Sequence, residues 1–501
     1  MTLFDDSQIT LHDESLDPAT TEAWESLKTL GHQMVDDMFD TLRTVRERPV
    51  WRPLPDDAKA RMAVPVPHDP QDPAAVYADF VNDVLPYPMG NIHPRFWGWV
   101  IGTGTPLGAL GDFLAAVMNP NTGGGEHIAN YVELQAINWL KEAVGYPAEA
   151  SGVMVSGASA SNLLALTVAR NQMAGWDVRK LGVKPEGAPR LMFYASSEVH
   201  SCVPRAVEVL GLGRESLRII PVNDAFEIDI AALERAIAED RAAGHRPVCV
   251  VGAAGTVNTG AFDDLNTLAD LCARENLWFH VDGAFGALAA LSPELRPLTR
   301  GMERADSLTF DLHKWMYINY EAAVVLVRSQ EKHYKTFTTT PEYLVHGKRG
   351  ASAGEVWFSD LGIQLSRGFK ALKVWMSIKE HGIDKYGRLI AQNVAHTRKL
   401  AARVDAEPEL ERLAPSPLNI VCFRYVVPGL DDDALNALNE ELLLRQQEGG
   451  GSLVSSTRLH GKYCLRACIS NHRTTAEDVD VFVADVLALG RQLAKEIPAA
   501  G

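Results

Sequence analysis

The chain lacks the features that mark membrane, secreted and nucleic-acid-binding proteins. No apolar run approaches the roughly 20 residues that cross a bilayer. Residues 1–14 are polar and acidic, without the basic-then-apolar order of a signal peptide. A net charge of −16, spread along 501 residues, disfavours nucleic acid and anionic membranes as partners. We therefore expect a cytoplasmic protein with neither kind of partner.

Cysteine is scarce, with six in the chain and no C-x-x-C pair. Several of the six lie in apolar runs, which favours buried free thiols in a reducing compartment over disulfides or metal ligands. Low-complexity segments and internal repeats are absent as well. The hydrophobic content of 46% is that of an ordinary globular protein, and the length predicts two or three domains.

Three domains are indicated by changes in the residue pattern. Residues 1–90 form a helical and proline-rich arm that suits packing against a neighbour, such as another subunit. Residues 91–384 alternate strands and helices, and fully apolar strands such as Val248-Cys-Val-Val251 predict an α/β domain with a mainly parallel sheet covered on both faces. Residues 385–501 predict a smaller α+β domain. Functional groups are then expected beyond the carboxyl ends of the parallel strands.

Two strand ends carry groups with reactive chemistry. Lys314 follows the apolar run 307–310 and is preceded by His313, which makes it a candidate Schiff-base nucleophile. A His-Lys pair also arises by chance in a chain with 15 histidines. Asp282 closes another apolar run, where an unpartnered carboxylate is costly, so it needs a cationic partner. A helix-capping aspartate is the alternative interpretation.

Two further strand ends suggest a phosphate and a flat ring. Val155-Ser-Gly-Ala-Ser-Ala-Ser-Asn162 precedes a helix, where free N–H groups attract an anion, and Ser159 is the best hydroxyl donor. An ordinary serine N-cap explains this segment equally well. His200 suits stacking on a ring or a structural place in a loop, and Gly283 and Ala284 leave room for a ring. Together the four strand ends describe the contacts of pyridoxal 5′-phosphate.

A series of motifs runs in a fixed order through most of the chain: His93-Pro-Arg-Phe-Trp, Ser156-Gly-Ala-Ser, His200, His280-Val-Asp-Gly-Ala-Phe, His313-Lys-Trp, Thr340-Pro-Glu-Tyr-Leu344, Leu365-Ser-Arg-Gly-Phe-Lys-Ala-Leu-Lys-Val-Trp375 and Leu465-Arg-Ala-Cys-Ile-Ser470. In these motifs the sequence resembles the fold-type-I, group II pyridoxal-phosphate decarboxylases, a family that includes aromatic-L-amino-acid decarboxylase. The resemblance implies a mainly parallel, seven-stranded sheet between helices. It also implies an intertwined homodimer in which both subunits complete each active site.

The resemblance assigns roles to the residues at the strand ends. Lys314 binds the cofactor aldehyde, Asp282 pairs with the pyridinium nitrogen, and His200 stacks on the ring. Ala158 and Ser159 hold the phosphate.

The resemblance also assigns a catalytic loop. His313 lies near the substrate carboxylate and a closing loop, residues 343–354. Tyr343 of that loop protonates Cα after carbon dioxide leaves, whereas relatives with phenylalanine there make aldehydes. Two positions depart from the family. Val257 stands where close relatives have a threonine that meets the substrate carboxylate, and Asp311 stands where they have an asparagine near the phosphate.

The substrate is less well indicated. Phe96, Trp97 and Trp99 fall where the family builds its side-chain pocket, partly across the dimer interface, and favour an aromatic or bulky amino acid. The alternative is that these rings fill core. Arg466 matches a family arginine and is a further candidate for substrate binding, but aminotransferases also use an arginine there as a carboxylate clamp.

Other functions stay open at this point. A decarboxylase of acidic or small aliphatic amino acids, an aminotransferase and an aldehyde synthase all share the cofactor. The only feature of a nucleotide-dependent oxidoreductase is Gly102-Thr-Gly-Thr-Pro-Leu-Gly108, which has the wrong spacing and follows no clear first strand. A non-catalytic binding protein would not need Lys314, His313 and Asp282 together.

Overall fold

The computed structural model describes residues 15–338 and 347–496. Tyr343 and the first residues of the predicted loop 343–354 lie outside these ranges, as do residues 1–14 and 497–501. Backbone contacts divide the chain into two units, Met1–Arg48 with Pro53–Met89, and Pro49–Arg52 with Gly90–Gly501. The division into three domains at residues 90 and 384 stays a prediction.

The N-terminal unit is helical. Its helices are α1 (Thr21–Arg43), α2 (Asp56–Arg61) and α3 (Pro73–Asp79). The Thr20 side chain caps α1, and the Tyr77 hydroxyl donates to Asp37 at 2.7 Å. No residue of α1 is buried, and large apolar side chains along it stay exposed. The periodicity of residues 18–45 therefore predicted the helix but not what covers it.

The main unit contains the remaining described helices: α4 (Pro106–Met118), α5 (Ile128–Val144), α6 (Ala158–Met173), α7 (Val178–Leu181), α8 (Cys202–Val209), α9 (Ile230–Ala242), α10 (Leu265–Glu275), α11 (Leu312–Trp315), α12 (Gln330–Phe337), α13 (Ala371–His381), α14 (Ile383–Ala406), α15 (Asp432–Glu448) and α16 (Ala476–Glu496). Among the helices of both units, none in the described ranges is long and apolar enough to cross a bilayer.

The strands of the main unit are β1 (Phe96–Trp97), β2 (Ser151–Val155), β3 (Leu191–Ser196), β4 (Leu217–Ile220), β5 (Arg246–Ala253), β6 (Trp278–Asp282), β7 (Ser307–Asp311), β8 (Ala323–Val327), β9 (Leu410–Arg412), β10 (Ile420–Tyr425), β11 (Leu453–Leu459) and β12 (Lys462–Cys468). Seven of them form one sheet in the order β2-β8-β7-β6-β5-β3-β4. The expected seven-stranded α/β sheet is thereby confirmed.

Strand direction decides where the functional groups meet. The pairs along β4, β3, β5, β6 and β7 are parallel, whereas β8 is antiparallel to both β7 and β2. Because β2 and β7 both oppose β8, they run in the same direction. The carboxyl ends of β2, β3, β6 and β7 therefore lie at the same edge of the sheet, as the sequence predicts.

A second sheet of five strands has the order β1-β11-β12-β10-β9. Its first strand, β1, belongs by sequence to the predicted large domain but pairs in parallel with β11. All six cysteines are buried and free. The core of each sheet combines apolar strand residues with apolar residues of the helices packed on it, and most of these are almost wholly inaccessible to water.

Candidate active site

The carboxyl ends of the strands border a cavity of about 300 Å³. Of the residues that the sequence singles out, the cavity is lined by Trp99, His200, Val257, Asp282, Ala284, Lys314 and Arg466. Residues far apart in the chain are thus brought together in one space. Such a concave site with a few convergent polar groups is the usual form of an active site.

The Lys314 amine is held by an ion pair. Its Nζ lies 2.9 Å from Oδ2 of Asp311, the last residue of β7, whose side chain is almost fully buried. Burial is the largest single influence on the pKa of Lys314 and lowers it, but the charge and hydrogen bond of Asp311, together with the charge of Asp282, raise this pKa above its ordinary value. The lysine therefore stays protonated until its ion pair is broken.

His313 lies next to Lys314 in the chain but is not among the residues that line this cavity. Its Nδ1 accepts a hydrogen bond from the backbone N–H of Ala322 at 3.2 Å, and its ring packs on Tyr320 with the centroids 4.2 Å apart. Its Nε2 lies 3.7 Å from Asp311, and burial lowers the pKa of the imidazole. The second carboxylate oxygen of Asp311, Oδ1, is buried and has no hydrogen-bond partner among residues 15–338 and 347–496.

Asp282 is a buried carboxylate at the end of β6. Its Oδ1 accepts from the backbone N–H of Ala284 at 3.1 Å, and its Oδ2 accepts from Nδ2 of Asn162 at 3.3 Å. Burial raises the pKa of Asp282, an effect that the charges of Lys314 and His200 partly offset. Within the described residues Asp282 has no ion pair, so the site has room for one cationic partner at this carboxylate.

His200 lies in the loop after β3 and faces the cavity. Its Nδ1 accepts from the backbone N–H of Cys202 at 3.2 Å, so the neutral ring carries its proton on Nε2. Desolvation lowers the pKa of the imidazole, while the carboxylate of Asp282 acts in the opposite direction. A neutral, flat ring at this edge of the cavity suits stacking on another ring.

The start of α6 lies beside this site, although Ala158 and Ser159 do not line the cavity itself. Ala158 is buried and Ser159 is exposed. A side chain at Gly157, the residue before the helix, would come within 3.6 Å of the His313 ring. Because the first N–H groups of a helix have no partner inside it, this terminus suits an anion, and the phosphate-binding role of the two residues stays a prediction.

Trp99 and Arg466 line the cavity in different ways. Trp99 has a φ of 51°, and its side chain is 51% exposed. Arg466 is buried, and its guanidinium donates to the carbonyls of Asn258 at 3.1 Å, Trp99 at 3.0 Å and Val257 at 2.6 Å. Most of its donors are therefore occupied by the backbone, which differs from a clamp with its face open to a carboxylate.

Phe96 and Trp97 do not line the cavity. The Trp97 ring packs against Phe482 with the centroids 5.2 Å apart, in the core of the five-stranded sheet. Phe96 packs with Val50 and Leu453 in a small separate core. Both rings are buried because neither face of β1 is open to water. Within one chain they therefore fill core, which is the alternative interpretation that the sequence left open.

One of the two positions that depart from the family pattern, Val257, lies next to Arg466, and Thr256 precedes it in the chain. Thr256 turns its hydroxyl inward, 3.1 Å from the hydroxyl of Thr259, and accepts from the N–H of Ala261. Val257 contributes its carbonyl to Arg466. Neither residue therefore directs a hydroxyl into the cavity.

Sequence reasoning missed Glu198 and Asn258, which also line the cavity. Nδ2 of Asn258 donates to Glu198 at 3.0 Å, and its Oδ1 accepts from Thr457 at 2.8 Å. Glu198 lies only two residues before His200, in the same loop. That proximity was the available signal, because a loop that aims one side chain at a cavity brings its neighbours near it.

The fold and the cavity define a class of enzyme. A lysine amine, a buried carboxylate without a cationic partner, a neutral histidine ring and a helix N-terminus meet at one sheet edge. These groups fit the aldehyde, the ring nitrogen, the ring face and the phosphate of pyridoxal 5′-phosphate. They are those of a pyridoxal-phosphate-dependent enzyme of the α/β type.

Comparison with known proteins gives the family. Residues 55–426 match the model of the pyridoxal-dependent decarboxylase conserved domain, and the chain belongs to this family. It is 34% identical to aromatic-L-amino-acid decarboxylase of Bacillus atrophaeus, over 95% of this chain and 97% of that protein. It is 30% identical to mouse (Mus musculus) histidine decarboxylase, over 91% of this chain and 69% of that protein.

A solved structure agrees with this result. The crystal structure of Oryza sativa TDC with PLP and tryptamine superimposes with a TM-score of 0.87 at 25% identity, covering 96% of this chain and all of that one. The protein is accordingly a pyridoxal-phosphate-dependent amino-acid decarboxylase. The relatives act on different amino acids, as their names state, so the family leaves the substrate open.

Proposed function

We propose that this enzyme decarboxylates an aromatic L-amino acid to the amine and carbon dioxide. The observation that carries the proposal is the cavity wall, where Trp99 offers a large ring and Glu198 a carboxylate. The cations that line the cavity are both engaged, Lys314 by Asp311 and Arg466 by backbone carbonyls. An acidic side chain would meet a like charge without an open cation, whereas an aromatic side chain finds a matching surface.

We propose the following roles for the cofactor site. Ala158 and Ser159 hold the phosphate, His200 covers the ring, Asp282 accepts the ring N–H, and Lys314 binds the aldehyde. Ala284 leaves space for the ring. When bound, pyridoxal 5′-phosphate supplies an electron sink for the electrons of the breaking bond to the carboxylate.

The chain's own residues control the protons. Asp282 keeps a proton on the nitrogen opposite to it, because two N–H donors already favour its ionised form. Asp311 keeps a proton on Lys314 until the lysine is needed as a neutral amine. His313 is assigned to the substrate carboxylate, and Tyr343, outside the described residues, to protonation of Cα.

Product analysis tests the proposal. Purified enzyme is incubated with a panel of L-amino acids, and carbon dioxide, amine, aldehyde and keto acid are measured separately. We expect amine and carbon dioxide in equal amounts from an aromatic substrate and negligible turnover of glutamate and aspartate. Keto acid as the main product, or preference for an acidic substrate, would contradict the proposal. The Lys314→Ala variant is the inactive control.

The loop tyrosine is tested by the same analysis. In a Tyr343→Phe variant the proton donor is lost, so we expect amine formation to fall by roughly two orders of magnitude or more, the usual contribution of a general acid. In aerated buffer, with dioxygen as the oxidant, aldehyde and ammonia are expected among the remaining products, together with hydrogen peroxide. A variant that makes amine alone at the original rate would remove Tyr343 from the mechanism.

We also propose that the enzyme is a cytoplasmic homodimer with shared active sites. Trp24, Leu27 and Phe39 of α1 are between 41% and 51% exposed in the single chain, and such apolar surface suits a second copy. Six buried free thiols suit a reducing compartment. Sedimentation of the native enzyme is expected to give the mass of two chains, and of one chain after Phe39→Asp with Leu27→Asp. A native monomer with full activity would contradict the dimer.

A further inference from the structure

Behind Asp282 lies a chain of hydrogen bonds that leaves the cavity and runs into the core. Asn162, on α6, donates from Nδ2 to Oδ2 of Asp282 at 3.3 Å and to the carbonyl of Ala158 at 2.9 Å. Its Oδ1 lies 2.8 Å from Nε2 of His280. The amide thus touches both the carboxylate and the first turn of α6.

The chain continues on the same face of β6. Nδ1 of His280 lies 2.9 Å from the hydroxyl of Ser307, and this hydroxyl accepts from Nε1 of Trp278 at 2.8 Å. Trp278, His280 and Asp282 alternate along the strand, so their side chains project to one side of the sheet. Apart from the carboxylate, which borders the cavity, these groups are inaccessible to water.

The direction of every bond in the chain follows from its two ends. The Ala158 carbonyl only accepts, so Nδ2 of Asn162 must face it, and Oδ1 must face His280. His280 then carries its proton on Nε2, and its Nδ1, which also lies 3.2 Å from the Ser307 carbonyl oxygen, accepts from the Ser307 hydroxyl. The Trp278 N–H only donates, which leaves the Ser307 proton for His280. All donors therefore point toward Asp282.

We propose that Asn162 and His280 are positioning residues that hold the Asp282 carboxylate in one orientation and favour its ionised form. They act through the one-way chain of donors, because an N–H delivered to Oδ2 stabilises the anion and blocks a proton from that oxygen. The ring nitrogen of the cofactor then keeps its proton and its alignment. Asn162 also donates to the Ala158 carbonyl in the first turn of α6. One side chain therefore contacts both the carboxylate proposed for the ring nitrogen and the turn proposed for the phosphate.

Other titratable groups face Asp282 and form the background of any pH measurement. The thiol of Cys202, on α8, lies 4.0 Å from Oδ2, and His200, Lys314 and Asp311 act on the carboxylate through their charges. Burial raises the pKa of the Cys202 thiol, which stays protonated. Burial lowers the pKa of His280 to about 4, so this ring is neutral over the working range. A change of the chain therefore changes hydrogen bonding without changing the number of charges.

The test reads the protonation of the ring nitrogen directly. The enzyme is loaded with pyridoxal 5′-phosphate labelled at the ring nitrogen, and the nitrogen chemical shift is followed by NMR as the pH is raised. In Asn162→Leu, which keeps the approximate size of the side chain, removes the N–H donors and adds no charge, we expect the nitrogen to lose its proton at lower pH. We also expect cofactor affinity to fall by about ten- to a hundredfold, the usual worth of a hydrogen bond to a charge.

The His280 position supplies a matched pair of variants. Gln at this position carries an N–H that reaches Asn162, whereas Leu has none. His280→Gln is therefore expected to titrate like the native enzyme and His280→Leu like Asn162→Leu. Asn439 is the structural control. It is a buried amide with the same pattern, accepting from the N–H of Tyr425 at 2.7 Å and donating to the carbonyls of Tyr425 and Leu435 at 2.8 Å each.

The control separates positioning from loss of stability. Asn439→Leu is expected to lower the melting temperature and leave the nitrogen titration unchanged. The proposal is overturned if Asn162→Leu and His280→Leu titrate like the native enzyme, or if Asn439→Leu shifts the titration as much as they do. The measurement needs no substrate, so its result is independent of which amino acid the enzyme consumes.

Discussion

A single buried carboxylate, Asp311, sets the charge of the lysine on which the chemistry depends. In the Asp311→Asn variant burial acts on Lys314 without the opposing ion pair, so the pKa of the lysine is expected to fall. More neutral amine is then present at neutral pH. We predict that at pH 7 the cofactor-free Asp311→Asn enzyme captures pyridoxal 5′-phosphate at Lys314 at a rate roughly tenfold or more above that of the native enzyme. The reason is that an opposite charge shifts a pKa by about one to three units.

The measurement is the rate of cofactor capture as a function of pH, followed by absorbance. Asp240→Asn is the matched control, because Asp240 is also buried and hydrogen-bonded, to Tyr194 at 2.9 Å, but does not line the cavity. Its rate profile is expected to follow that of the native enzyme. A profile in Asp311→Asn that coincides with the native one would show that the ion pair does not govern Lys314.

At the residue scale the sequence predicts positions better than it predicts partners. Asp282, His200 and Lys314 were placed because each follows an apolar strand, and parallel strands bring their ends together. Arg466 was equally visible in its motif, yet its engagement by the carbonyls of Trp99 and Val257 was not. Those carbonyls belong to segments that lie hundreds of residues away in the sequence. Because every residue has a backbone carbonyl, the residue types do not show which carbonyls will bind Arg466.

At the scale of elements, the glycine-rich segment 102–108 supports the lysine turn. The Asn91 amide donates to the Gly102 carbonyl at 2.7 Å, and Thr105 caps α4. A Cβ at Gly102 would overlap the carbonyl oxygens of His313 and Lys314. In the sequence this segment weakly suggests a nucleotide-binding loop. In the structure Gly102 is needed because two backbones approach each other closely there.

Gly102→Ala is therefore predicted to displace α11 and with it Lys314. The expected cost is about 1–3 kcal/mol of stability, the usual penalty of overpacking, and about a tenfold loss of cofactor affinity. Thermal unfolding and fluorescence titration of the cofactor-free enzyme measure the two effects. Gly368→Ala is the control, because a Cβ there meets no atom within 4 Å. Equal behaviour of the two variants would contradict this role of Gly102.

One strand that sequence reasoning missed is β11. Its residues, Leu453-Val-Ser-Ser-Thr-Arg-Leu459, include polar side chains in the middle of the strand. Apolar periodicity is too weak in such a segment to mark a strand. Its conformation is set instead by pairing with β12, the next strand in the chain, and with β1, which lies more than three hundred residues away.

At the scale of the whole molecule, buried histidines make the fold sensitive to acid. Burial lowers the pKa of His280, His333 and His472 to about 4 each, from an ordinary value of 6.5. The unfolded chain binds protons at these residues below pH 6.5, and the folded chain does not until about pH 4. Stability is therefore complete above this window and is lost as the pH falls through it.

The size of the effect is large for a protein. A shift of this width costs about 3 kcal/mol per histidine at the lower end, so that the three together approach 10 kcal/mol, comparable with the whole stability of a domain. We predict that the urea midpoint of unfolding falls steeply between pH 6.5 and pH 4.

One variant isolates the share of a single histidine. Nε2 of His333 lies 2.9 Å from the Leu361 carbonyl and its Nδ1 lies 2.8 Å from the Ser151 hydroxyl, so the neutral ring uses both nitrogens. His333→Gln keeps the N–H that reaches Leu361 but has no group that titrates. The urea midpoint of this variant is expected to be lower than the native one at neutral pH. The slope of its urea midpoint against pH is expected to be smaller than the native slope by about a third, if the three histidines contribute equally. A slope that is unchanged in His333→Gln would place the acid sensitivity elsewhere, in the carboxylates of the ion pairs.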